Sequence, residues 1–289
     1  MSATLDRFLN SRFAACLTHA SLAAMTVAYF AALLYLPFWI AFVPGVILAH
    51  RIGTLLHEYM HGIPFRRYRD NHAVVTLFDG GMLMFGTLEM FRVSHLLHHR
   101  WLNNEPDSAR EKSDTLGRRT TDVIAGLQLV QYLARFPGAI RGAQPQVRRK
   151  RLLISAMLSV ATIWAWTAVG RPDVAWKMII ITLATMLVPV SLRSAIEHHD
   201  APGHPHFANE YRVWIPLFNL NRHIHHHEDP TIPWYRLQWR TERPLSRSHY
   251  VSHWIHVYVK RDFVLMRAMD ASDAAPRTAR PGSRDGSGL

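Results

Sequence analysis

Residues 13–50 read FAACLTHASLAAMTVAYFAALLYLPFWIAFVPGVILAH, 38 positions without one Lys, Arg, Asp or Glu. A helix crossing the apolar layer of a bilayer needs about 20 residues, so this stretch is close to enough for two. Pro37 lies near its middle and Pro44 follows. Proline lacks an amide hydrogen and interrupts the helical ladder. The pattern predicts a tight hairpin, with one span over about 13–36 and a second over about 38–56 that runs on to His61. A cleaved signal peptide does not fit, because its apolar core is about 7–15 residues.

A second apolar pair follows. Leu152–Gly170 is 19 residues without charge, Arg171-Pro172-Asp173 makes a turn, and 174–192 carries only Lys177, whose long side chain can reach the polar layer. From Gly62 to Arg151 there are 15 Lys and Arg against 8 Asp and Glu. Cytoplasmic loops of membrane proteins carry such an excess. The expectation is an all-α integral membrane protein with four transmembrane helices in two hairpins and a helical cytoplasmic cap. Both termini and everything after residue 193 then lie in the cytoplasm. Residues 74–91 are apolar but broken by Asp79, Gly80, Gly81 and Glu89, while 122–136 and 246–267 have the spacing of amphipathic helices. One domain covers 1–270. The tail 271–289, rich in Ala, Pro, Gly, Ser and Arg, is expected to be disordered.

The chain carries 33 Lys and Arg against 21 Asp and Glu, a net charge of +12. Basic residues beside apolar spans account for this through the membrane surface and its anionic lipids, so no nucleic-acid partner is expected. A lone Cys16 excludes a disulfide framework and cysteine-rich metal sites. There is no phosphate-binding glycine loop, nucleophile elbow or dinucleotide fingerprint.

Histidine is the outlier, with 19 copies. His57 and His61 stand at i and i+4, a spacing that puts both imidazoles on one helix face. His95, His98 and His99 form H-x-x-H-H, and His223, His226 and His227 repeat that spacing. His198 follows Glu197 at the end of the fourth expected span. Each group lies at or beyond the same membrane face. These nine histidines are candidates to hold two metal ions, and imidazole suits Fe, Zn, Cu and Ni alike. Glu58, Asp107, Glu197 and Asp200 are candidates to accept the free N–H of a ligand ring and so orient it.

The segments HEYMH (57–61), HLLHH (95–99), RSAIEH (193–198) and NLNRHIHHHEDPTIPWYRL (219–237) resemble the membrane fatty acid desaturase family. Most specific is the last, with Asn221 ahead of the histidines, then Pro230 and Ile232-Pro233-Trp234-Tyr235. Asn103 and Asp107 after the second histidine group are also similar to the family pattern. The resemblance covers about 20–260. His225 stands where many members carry Glu, and it is left out of the ligand set. The resemblance implies a non-haem centre of two iron ions, for which zinc can substitute on overexpression. Such a centre activates O2 with two external electrons and removes two hydrogens from adjacent carbons of an acyl chain. It also implies an acyl-lipid or acyl-thioester substrate and a separate electron donor, such as a ferredoxin with its reductase. Lipid hydroxylases and carotenoid ketolases share the scaffold, and histidine spacing does not separate them from desaturases.

A reading of another class remains. His57-Glu58-x-x-His61 is also the H-E-x-x-H of zinc metalloproteases, with Glu58 as general base, and Asn71 through Asp79-Gly80-Gly81 echoes a segment of intramembrane proteases. Against it, Val74 stands where proline is expected, and a protease needs three protein ligands, which leaves six clustered histidines unused. Metal stoichiometry separates the two readings.

Overall fold

The structure is a computed structural model that describes residues 15–101, 148–186 and 222–237, together with Pro189 and Phe218. The expected helices over 122–136 and 246–267 and the tail 271–289 lie outside these residues. Helix α1 (Ala15–Tyr35) and helix α2 (Phe38–Met60) form the first hairpin. Pro37 caps α2 with φ −54° and ψ 150°, so the break falls where the sequence predicts it. Helix α2 passes the expected end of its span at 56 and reaches Met60, then Gly62 turns the chain with φ +75°.

Helix α3 (Tyr68–Gly81) and helix α4 (Thr87–Trp101) occupy the interrupted apolar stretch. Helix α5 (Arg149–Ala168) and helix α6 (Pro172–Thr185) make the second hairpin, turned at Gly170 with φ +75°. Two short helices, α7 (His223–Glu228) and α8 (Trp234–Leu237), close the described chain. Among the described residues, α1, α2 and α5 are long and apolar enough to cross a membrane. The 14 described residues of α6 fall short of that length, and the rest of the fourth expected span, 174–192, lies partly outside the description.

Helix α1 packs on α2, and α6 packs on both, while α5 lies against α3 and α6. Tyr29, Leu33, Ile52, Leu55, Leu56, Met178 and Ile181 fill the centre. The outward faces are apolar as well: Trp39 and Val43 on α2, and Met157, Val160 and Trp164 on α5, are exposed. Helices that are apolar all round belong in lipid. In lipid the hydrophobic effect does little to join one helix to another, so close backbone approach and polar contacts carry more of the association.

Gly80 provides one such approach, between α3 and α5. A Cβ there would collide with Leu158 Cβ and come within 3.1 Å of the Ser155 carbonyl oxygen. Alanine gains about 1 kcal/mol of helix propensity over glycine, and overpacking costs about 1–3 kcal/mol. Here the obstacle includes backbone that cannot rotate aside, so overpacking wins. We expect Gly80→Ala to lower the thermal unfolding midpoint of the detergent-purified protein. Gly81→Ala, with nothing within 4 Å of its Cβ, should leave the midpoint unchanged or raise it slightly through helix propensity. Equal midpoints would show that α3 and α5 do not meet at residue 80.

Lys177 is directed onto the first hairpin. Its Nζ donates to the carbonyls of Leu33 (2.8 Å) and Leu36 (3.2 Å), and Arg171 donates to that of Leu34 (3.2 Å). The last carbonyls of a helix have no partner within it, and cations there also suit the helix dipole. Two cations of the second hairpin therefore cap α1 of the first.

The chain reverses between α3 and α4 through two non-glycine residues in the left-handed region, Leu83 (φ 58°) and Phe85 (φ 51°), followed by Gly86 (φ 93°). Such conformations cost on the order of 1 kcal/mol or more each. They are held from all sides. The Asp79 carboxylate accepts the N–H of Gly86 (2.9 Å) and of Glu89 (3.4 Å). Ser159 Oγ accepts the N–H of Phe85 (3.3 Å), and Thr182 donates to the Met82 carbonyl (2.9 Å). The turn is thus pinned to α5 and α6, and it directs α4 so that its histidines meet the end of α2.

Candidate metal centre

Helix spacing does the first part of the assembly. His57 and His61 share one face at the end of α2, and His95 and His99 share one face of α4, each pair at i and i+4. The α7 turn supplies His223, His226 and His227. One ring nitrogen from each of His57, His61, His95, His99 and His226 lies within 4.8 Å of all the others. His57, His95 and His226 are buried. His226 Nε2 stands 3.1 Å from His99 Nε2. Next to this group, His223 Nε2 and His227 Nε2 are 3.0 Å apart, and the His227 ring stacks on His99 with centroids 4.2 Å apart.

His95 Nε2 decides what the cluster is for. It lies 2.6 Å from His57 Nε2, 3.1 Å from His61 Nε2 and 3.0 Å from His99 Nε2. An imidazole nitrogen carries either one N–H or one in-plane lone pair. It cannot make three hydrogen bonds at once. Lone pairs converging from several helices are the arrangement of ligands around a cation, so the residues present fit a metal. Burial favours the neutral, coordinating form of these rings. It holds His61 down at about 4, and it holds His226 well below the usual value, with His57, His61, His99 and His227 adding to the effect. The donor set does not name the metal.

Seven of the nine candidate histidines are therefore assembled in two adjoining groups. His98 lies on α4, but its side chain is outside the description, as are His198, Asp107, Glu197 and Asp200 altogether. His225 lies elsewhere, with its Nδ1 3.0 Å from Glu228 Oε2.

Glu58 has partners that the sequence does not indicate. Its Oε2 accepts from the Thr18 hydroxyl (2.9 Å), and its Oε1 accepts from the backbone N–H of Trp234. The Trp234 indole N–H in turn donates to Thr18 Oγ1 (3.1 Å). One buried carboxylate thereby joins α1, α2 and the start of α8, six residues beyond the end of α7. Thr18 lies 40 residues from Glu58 in an apolar run with no motif around it, so no sequence signal could have found it. Trp234 belongs to a stretch that drew notice only as a family feature.

The family model for fatty acid desaturases matches residues 13–256 of this chain. No curated protein and no solved structure matches it.

Proposed function

The chain belongs to the fatty acid desaturase family, and on that premise we propose that it is a membrane-bound, O2-dependent desaturase that introduces a double bond into a fatty acyl chain. The observation that carries this reading is the convergence of five histidine nitrogens within 4.8 Å at the end of an apolar helix. His57, His61, His95, His99 and His226 would hold one iron or share two. His223 and His227, with His98 and His198, would complete the second site. Two irons held there would supply, with external electrons, the activation of O2 needed to attack an unactivated C–H bond.

The chain's own residues do the rest. Neutral imidazoles would hold the metals without adding positive charge. Placement at the end of α2 lets an insoluble acyl chain enter from the bilayer. The Glu58 link fixes the distance between α2 and the segment after α7, and with it the fit between His57 and His226. The electron donor is a separate protein such as a ferredoxin, docking on a cytoplasmic face made basic by residues 62–151. Zinc proteolysis is disfavoured, because the Glu58 carboxylate already accepts from Thr18 and Trp234 instead of facing a metal-bound water.

The test is expression in a host of known lipid composition, with mass spectrometry that locates double bonds and elemental analysis of the purified protein. A new double bond at one position and two irons per chain are expected. An oxygenated product would assign the hydroxylase or ketolase chemistry of the same scaffold, and one zinc per chain with no change in lipids would overturn the reading.

A further inference from the structure

His72 of α3 is 2% exposed, yet neither ring nitrogen has a hydrogen-bond partner among the described residues. A neutral imidazole carries one donor and one acceptor, and burial without partners is unfavourable. What surrounds it explains the deficit. Arg151, Arg92 and Arg148 act on the ring as positive charges, and Glu89 is the carboxylate that opposes them. The edge of Tyr68 closes another side, with ring centroids 3.9 Å apart.

Glu89 is already engaged at both of its oxygens. Arg92 donates to both of its oxygens at 2.8 Å, the Arg148 backbone N–H reaches Oε1 at 3.3 Å, and Arg151 lies 3.7 Å from Oε2. Burial alone would raise this carboxyl, but the hydrogen bond and charge of Arg92, together with Arg151, hold it below the usual range. Burial, reinforced by Arg151 and Arg92, pushes His72 down to about 4, so the ring stays neutral and keeps an N–H to give. The guanidiniums of Arg92 and Arg151 and the backbone N–H of Arg148 all meet one carboxylate, so positive charge exceeds negative charge here.

The head of α5 adds to this excess of positive charge. Arg149, Lys150 and Arg151 occupy its first turn, which holds no acidic residue. A helix N-terminus favours anions and is unfavourable for cations. Helix α5 is also a candidate span, so its head lies at headgroup depth if the helix crosses. Guanidinium forks match the oxygens of phosphate.

We propose that His72, Arg92, Arg148 and Arg151 form a binding site for a phosphate group where α3, α4 and the head of α5 meet. The phosphate belongs either to a phospholipid headgroup or to a soluble phosphate ester. The site does not depend on the catalytic reading. It stands one helical turn from the histidine cluster, because Arg92 precedes His95 by three residues.

The full chain, purified in a phosphorus-free maltoside detergent, is titrated with phosphatidylglycerol and, separately, with inorganic phosphate. Binding is read by native mass spectrometry and by the thermal midpoint. A galactolipid serves as the phosphate-free control. Wild type should bind one phosphatidylglycerol or one phosphate and gain stability, with no gain from the galactolipid. Saturation by phosphatidylglycerol alone assigns the headgroup, and equal protection by inorganic phosphate assigns the soluble ester. His72→Phe keeps a flat aromatic ring, slightly larger than imidazole, and removes the polar atoms, so the ligand-free protein should fold while affinity falls about tenfold, as for a lost charge-assisted hydrogen bond. The double variant Arg148→Gln with Arg151→Gln should lose more than that. Undiminished affinity in His72→Phe, or no binding of either probe to wild type, overturns the proposal.

Discussion

His226→Ala should eliminate product formation and release metal from the protein, while His225→Ala should retain most of both. The two residues are adjacent, and the prediction rests on which way each one faces. In a helix, position 225 is rotated about 200° from 223 and 227 and about 100° from 226. The structure bears that rotation out, with the His226 nitrogen in the cluster beside His99 and the His225 nitrogen on Glu228. Loss of even a residue that merely orients a ligand costs about 10–100-fold, so loss of a ligand should exceed about 100-fold. The measurements are lipid product by mass spectrometry and metal atoms per chain. If His225→Ala is as inactive as His226→Ala while still folded, the two nitrogens have been assigned to the wrong sides of α7.

Glu58 gives the second large effect, and it separates a structural carboxylate from a chemical one. Alanine would leave the Trp234 N–H and the Thr18 hydroxyl without their acceptor in a buried place. Each unmet group costs about 1–3 kcal/mol. The segment after α7 should then drift from α2, with activity and metal content falling together by about tenfold to a hundredfold. Glutamine is expected to restore most of this. Its carbonyl oxygen can accept from Trp234, and its amide can donate to Thr18, whose hydroxyl is free to rotate. A residue that moves protons in the reaction cannot be rescued so, because proton transfer contributes roughly 10²–10⁴-fold. Product and metal are measured for both variants. A Glu58→Gln protein that keeps its metal and loses all turnover would make Glu58 a participant in the chemistry.

The parts of this molecule visible in its sequence are those that depend on period and composition. The break at Pro37, the two apolar hairpins and the i, i+4 histidines each follow from a local rule, and each appears in the structure. The parts that stay hidden depend on residues far apart in the chain. Thr18 is an unremarkable threonine until Glu58 and Trp234 meet it. Asp79 and Glu89 read as interruptions of an apolar stretch, and both prove to be anchors. Asp79 holds a turn that places two side-chain-bearing residues at positive φ, and Glu89 ties Arg92 to the head of α5. A charge inside an apolar run shows that something unusual happens there, and only tertiary contact shows what. Gly80 is similar: it reads as a breaker, yet it lies inside a helix where another backbone needs the room.

The capping of α1 by Lys177 and Arg171 bears on how the protein is made. The carbonyls of Leu33, Leu34 and Leu36 find their partners more than 130 residues downstream. When the first hairpin leaves the ribosome, those oxygens have only water or lipid headgroups to face. At about 5–20 residues per second, the wait for the second hairpin lasts many seconds. During that interval the nascent chain is a half-built membrane protein with an unfinished end, open to premature degradation or to pairing with the wrong neighbour. A chaperone or insertase that shields the turn around Pro37 would act in that window, before residue 177 arrives.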